Sequence, residues 1–192
     1  MLEVLTIGHS THSFERFLDL VRAAGVTAIA DVRTLPFSRR HPHFNRDALR
    51  DRLRDYGIAY VFLGKELGGR PNDPAFYDDG VADYEKMAAT DSFREGLERV
   101  VEGAGTHRIG LMCAERDPLD CHRCLLVARA LAGGGVSVGH ILSDGAIAAH
   151  GEIEDRLLAL AERRGGDLFA TREERLAAAY RSRARKVAYA RP

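Results

Sequence analysis

The chain has 192 residues, with 28 basic and 28 acidic side chains, eight His, three Cys and no Trp. Hydrophobic residues make up 45% and charged residues 29%, the make-up of one globular domain with a modest tail, which excludes wholesale disorder. A chain of this length buries enough surface to need neither a disulfide nor a metal to hold its core. No apolar run reaches membrane-spanning length, and Met1–Leu5 lacks the basic, then apolar, pattern of a leader, so a cytoplasmic location is expected.

Zero net charge hides two basic stretches. Only three of the cations are Lys, and Arg is the residue that recognises phosphate and carboxylate bidentately. A GC-rich coding bias would give the same excess. Between Arg33 and Asp55 seven Arg face three Asp, and between Arg172 and Arg191 seven basic residues face two acidic ones. A neutral total therefore does not exclude an anionic partner.

Periodicity predicts a strand over Leu2–Gly8, ending at His9-Ser10. A helix follows, capped by Thr11 or Ser13, with Phe14, Phe17, Leu18 and Val21 at helical spacing and Gly25 as its stop. Val26–Val32 reads as a strand, Asn45 as the cap of a helix carrying Leu49 and Leu53, and Ile58–Leu63 as a third strand. Two helices are expected over Phe76–Ala89 and, after an Asp91 or Ser92 cap, Phe93–Val101. Arg108–Cys113 is a fourth strand. Asp120 is the expected cap of a helix over Cys121–Leu131, Val136–Leu142 a fifth strand, and Glu152–Arg163 a closing helix. Gly165-Gly166 then breaks the pattern, so residues 1–165 read as one α/β domain and 166–192 as a basic helical tail.

Strand–helix alternation repeated about five times predicts a mostly parallel sheet covered by helices on both faces. Ligands in such sheets sit beyond the carboxyl ends of the strands. Those ends here carry His9 and Ser10, Asp31 and Arg33, the Gly64–Arg70 loop, Cys113 and Glu115, and Asp144.

The densest segment runs from Cys113 to Cys124. With Asp120 as cap, Cys121, His122 and Arg123 fall in a first helical turn, where free N–H groups and the helix dipole favour an anion and lower a thiol pKa. Cys121 is therefore the candidate nucleophile, Arg123 the anion holder, and His122, Glu115 and His9 the candidate acid–base groups, with Cys113 as a redox partner. Cys124 reads as core. Zinc spacing is poor, because a second closely spaced ligand pair is missing, so neither metal nor cofactor is expected. Asp31 and Arg33 share one face of their strand and either pair with each other or leave Arg33 to reach an anion. Gly68, Gly69 and Arg70 suit close backbone approach to a ligand, without forming a P-loop or a dinucleotide fingerprint. Arg39, Arg40, His41, His43 and Arg46, interleaved with Phe37 and Phe44, suit nucleic-acid contact or a solvated face.

Thr6-Ile7-Gly8-His9-Ser10, Asp31-Val32-Arg33, Leu63-Gly64 with Leu67-Gly68-Gly69-Arg70-Pro71, Cys113-Ala114-Glu115 with Cys121-His122-Arg123, and His140-Ile141 with Asp144-Gly145 occur in that order. Together they resemble the prokaryotic family called domain of unknown function 488. The resemblance covers roughly residues 1–150 and extends more faintly to Lys186–Tyr189. It implies a compact α/β fold and matches Cys113, Glu115, Cys121, His122 and Arg123 to a family signature, with Cys124 outside it. It brings no established activity. The expectation is a small enzyme gathering Arg33, Arg70 and Arg123 around a phosphate-bearing small molecule or nucleic acid. A non-catalytic nucleic-acid-binding module and a Cys113–Cys121 thiol redox sensor are the alternatives.

Overall fold

The computed structural model describes residues 2–162 and 170–191, so the expected break at Gly165-Gly166 lies outside the described residues. The protein is an α/β structure with a mostly parallel six-stranded sheet. Strand β1 (Glu3–Gly8) leads into α1 (Phe14–Ala23), whose Ser13 side chain accepts the Arg16 N–H as a cap, and Gly25 turns the chain at a positive φ of 68°. β2 (Ala28–Asp31), α2 (Arg46–Asp55) and β3 (Ala59–Phe62) follow. Asn45 stands at the start of α2 as expected, but its side chain accepts the Ser38 N–H instead of capping the helix.

The helix expected over Phe76–Ala89 is interrupted. A small hairpin, β4 (Tyr77–Asp78) and β5 (Val81–Ala82), precedes a five-residue α3 (Tyr84–Ala88). Asp79 and Gly80 both have positive φ, 49° and 77°, as a two-residue hairpin turn of the primed type requires. Thr90, not Asp91 or Ser92, caps α4 (Asp91–Ala104). β6 (Ile109–Cys113) enters the loop that carries Glu115, and a π-helical turn, Arg123–Ala128, runs into α5 (Arg129–Gly133). After β7 (Ser137–Ile141) a sixth strand, β8 (Ile147–Ala149), pairs antiparallel to it, and α6 (His150–Glu162) and α7 (Arg172–Val187) close the chain.

The strand order is β3-β2-β6-β1-β7-β8. Alternation along β1 sends Leu5 and Ile7 to one face, where they pack with Phe14, Phe17, Leu18 and Val21 of α1 and Leu49 and Leu53 of α2. Val4 faces the other side, with Phe93, Leu125, Leu131, Leu157 and Tyr180. Each fully buried Leu or Phe contributes roughly 1.5–3 kcal/mol. The connections from the adjacent strands β1 and β6 thus leave toward opposite faces. That divergence is the topological switch point where open α/β sheets place their ligands.

α7 belongs to the same core, because Ala179 and Tyr180 are buried in it. Beyond its end, the Tyr189 carbonyl accepts the Ala82 N–H and Arg191 N–H donates to Gly80, tying the C-terminal segment to the small hairpin. Among the described residues no helix is long and apolar enough to cross a membrane.

Candidate active site

A cavity of about 710 Å³ opens at the carboxyl ends of β1, β2 and β6. His9, Ser10, Arg33, Gly69, Arg70, Cys113, Glu115 and His122 line it, which are sequence-predicted site residues from four separate loops. Arg40 and His41 contribute from the basic loop, and Val187 and Tyr189 from the far end of the chain. The only sequence signal for the last two is the faint match around Lys186–Tyr189.

Cys113, Glu115, Cys121 and His122 converge beneath the cavity, and all of them but Cys121 line it. The two sulfurs lie 3.0 and 2.9 Å from the same Glu115 Oε2 and 3.7 and 3.9 Å from His122 Nδ1. One donor atom from each of the four lies within 4.8 Å of the others. His122 Nε2 is 2.9 Å from the Val32 carbonyl, which only accepts, so Nε2 carries a hydrogen and Nδ1 faces the two sulfurs.

Two glycines make this convergence sterically feasible. A Cβ on Gly8 would lie 1.8 Å from the Glu115 carbonyl oxygen, and a Cβ on Gly69 would lie 2.7 Å from His122 Cγ. Ser10 takes a left-handed conformation, φ 49°, at a cost of order 1–2 kcal/mol. Its N–H reaches the Ala114 carbonyl, and its hydroxyl accepts from Arg116.

The expected helix start is displaced. Pro118 opens a 3₁₀ turn, Pro118–Asp120, capped by Asp117, and Asp120 pairs with Arg183 instead of capping a helix. Cys121 is consequently extended, at φ −138° and ψ 140°, and stands just before the helical run. Its carbonyl accepts from Cys124 and Leu125, and its sulfur accepts the Arg123 N–H at 3.4 Å. Cys121 therefore caps the run and does not belong to its first turn. It does not line the cavity; Cys113 does.

Arg123 also departs from expectation. It is fully buried, donates to the Glu115 and Arg116 carbonyls, and its Nε has no partner among the described residues. It lies beneath the cluster as a positive charge and does not reach the cavity. Burial pushes the Cys113 thiol well above its usual range, and the neighbouring Cys121 adds to the shift. Burial opposes ionisation of Cys121 too, but the Cys113 hydrogen bond and the Arg123 charge hold its pKa well below the ordinary value. Cys124 is core, as expected, and burial lifts it to about 12.

Asp31 and Arg33 pair with each other. Arg33 Nε and Nη2 donate to the two carboxylate oxygens at 2.9 and 2.6 Å, and Tyr60 donates to Oδ2 at 2.7 Å. Asp31 is fully buried and does not line the cavity, while Arg33 keeps Nη1 against His9 Nε2 at 3.3 Å. Burial and the Arg33 charge lower the His9 pKa to about 4, and its ring stacks on Phe44. Gly68 packs tightly on Thr34 and Gly64 and supports the loop without lining the cavity. Asp144 also lies away from the cavity, accepting the Ala146 N–H in the β7–β8 turn. Of the three arginines that line the cavity, Arg33 is paired with Asp31, while Arg40 and Arg70 make no ion pair among the described residues; the Arg70 guanidinium stands 4.8 Å over the Tyr189 ring.

The fold and site define a small α/β protein whose cysteine–histidine–glutamate cluster adjoins a cavity at the switch point, lined by three arginines and by the carboxylates Glu115 and Asp120. The chain belongs to the family described as "Domain of unknown function DUF488", whose profile matches residues 13–130. No curated protein and no solved structure matches it.

Proposed function

We propose that this protein is an enzyme that binds a phosphate-bearing substrate in the cavity, against the Cys113–Glu115–Cys121–His122 cluster as its reacting centre. One observation carries the reading: Cys113, Glu115 and His122 of the cluster line a cavity that Arg40 and Arg70 also line, without carboxylate partners among the described residues. Such cations bind phosphate through charge-assisted hydrogen bonds. Neutral His9 and the Ser10 hydroxyl add polar groups on the same wall. Leu35 and Phe37, each 65% exposed, line the cavity too and offer an apolar surface to a base.

Titration with pyrophosphate and with a panel of nucleotides, combined with a turnover screen over the same panel, tests the proposal. Arg70→Ala is expected to weaken binding about tenfold or more, the loss of one charge-assisted contact. Cys113→Ser is expected to keep binding and lose turnover. Absence of anion binding would overturn the reading. Salt-sensitive nucleic-acid binding without turnover, unaffected by Cys113→Ser, would favour the binding-module alternative, for which the exposed Phe37 is the supporting observation.

A further inference from the structure

We infer that Cys113, Glu115, Cys121 and His122 form a zinc site, with Cys113 Sγ, Cys121 Sγ, His122 Nδ1 and Glu115 Oε2 as ligands. This deepens the reading above by giving the reacting centre a chemical identity, and it revises the expectation of no metal.

The donor set is the first argument. Two thiolates, one imidazole and one carboxylate suit Zn²⁺, which binds S, N and O tetrahedrally. Bond lengths of that kind place S and N donors about 3.6 Å apart, and the sulfur–His122 Nδ1 distances are 3.7 and 3.9 Å. The Glu115 oxygen, at 3.0 and 2.9 Å from the sulfurs, has to withdraw outward by roughly half an ångström to reach the same tetrahedron. Glu115 is free to do so, because its side chain reaches the cluster from the open, cavity side.

The surroundings are the second argument. Metal-bound His residues usually donate their other ring N–H to a carbonyl or carboxylate, which fixes the tautomer. His122 does so through the Val32 carbonyl, leaving Nδ1 inward. Arg123 is the third. A fully buried guanidinium that donates only to backbone carbonyls needs a counter-charge nearby. Two thiolates, one carboxylate and Zn²⁺ sum to one negative charge, which Arg123 balances.

A second group, Cys124, His140 and His150, also lies within ligand reach. Its nitrogens are already committed: His140 Nδ1 to Thr6 Oγ1 at 2.8 Å, His140 Nε2 to His150 Nδ1 at 3.0 Å, and His150 Nε2 to the Tyr180 hydroxyl at 3.1 Å. It is a hydrogen-bonded chain, and it serves as the internal control.

The test is metal analysis of the full chain, followed by chelator stripping and titration with Co²⁺ under reducing conditions. The expected result is one metal ion per chain and a thiolate-to-Co²⁺ charge-transfer absorption. Cys113→Ser and Cys121→Ser should each diminish that absorption, and Cys124→Ser should leave it unchanged. Glu115→Gln, on the open side of the cluster, should fold normally and bind zinc more weakly, by about tenfold or more, so the assignment stays testable if a cysteine variant fails to fold. Absence of any charge-transfer absorption in the wild-type chain would overturn the inference. So would an absorption that survives Cys113→Ser and Cys121→Ser but is lost in Cys124→Ser. No substrate enters this test, so its failure is distinguishable from failure to bind pyrophosphate.

Discussion

Gly8 and Glu115 are in such close contact that no side chain fits between them: a methyl group at position 8 would meet the Glu115 carbonyl oxygen at 1.8 Å and Arg123 Nη1 at 3.2 Å. The end of β1 thereby sets the height of the loop after β6, and with it the position of the carboxylate that touches both sulfurs. Gly8→Ala is expected to destabilise the fold by about 1–3 kcal/mol, the range for overpacking, and to weaken Co²⁺ binding. Gly133→Ala, where a Cβ would meet nothing within 4 Å, is the neutral control. Denaturant unfolding of both variants checks the contrast.

Gly69 makes a more selective probe. A Cβ there would press on the His122 ring, 2.7 Å from Cγ and 2.9 Å from Nδ1, and not on backbone. Gly69→Ala is expected to shift the His122 ring and change the Co²⁺ spectrum, at an overpacking cost of about 1–3 kcal/mol. Unchanged spectra would detach this loop from the cluster.

Asp31→Asn should be among the more damaging single changes. It leaves the Arg33 guanidinium, 6% exposed, without the carboxylate that now takes two of its donors. Breaking a buried pair from one side costs about 3–5 kcal/mol. Urea unfolding measures it directly.

The buried chain Thr6–His140–His150–Tyr180 makes stability depend on pH. Burial, with the neighbouring His150 and Arg123, lowers the His140 pKa to about 3, and burial lowers that of His150 too. In the unfolded chain both take up protons near pH 6.5. Unfolded molecules therefore bind more protons between about pH 6.5 and 3, so this contribution is full above 6.5 and is lost as pH falls through that window. The slope reaches about 1.4 kcal/mol per pH unit for His140. Unfolding free energies at pH 7 and pH 5 should differ more in the wild-type chain than in His140→Gln; equal differences would remove His140 from the account.

Much of this architecture is legible in the sequence, for identifiable reasons. The five parallel strands show as short apolar runs between helical stripes, and the rule that ligands sit beyond strand ends brings His9, Arg33, Cys113, Glu115 and the Gly69-Arg70 loop to one cavity. What is lost is mostly a matter of which local signal wins. Asp117-Pro118 outcompetes Asp120 as a cap because Pro118 takes the first position of its turn, and this moves Cys121 out of the helix. Asp79-Gly80 makes a hairpin turn inside a stretch with helical spacing. Arg123 looks like an anion hook from its neighbours, yet the packing of Glu115 on Gly8 buries it. The contribution of Val187 and Tyr189 depends on α7 folding back over the sheet, which no local pattern specifies.

The claim that an anion site and the cluster form one centre is tested most directly at Cys113, the thiol on the cavity wall. Alkylation of metal-free protein, followed residue by residue by mass spectrometry, should show Cys113 modified slowly and protected several-fold further by pyrophosphate, with Cys124 unmodified throughout. Arg70→Ala should abolish that protection. Identical Cys113 rates with and without pyrophosphate, at concentrations where it binds, would place the anion elsewhere and contradict the account.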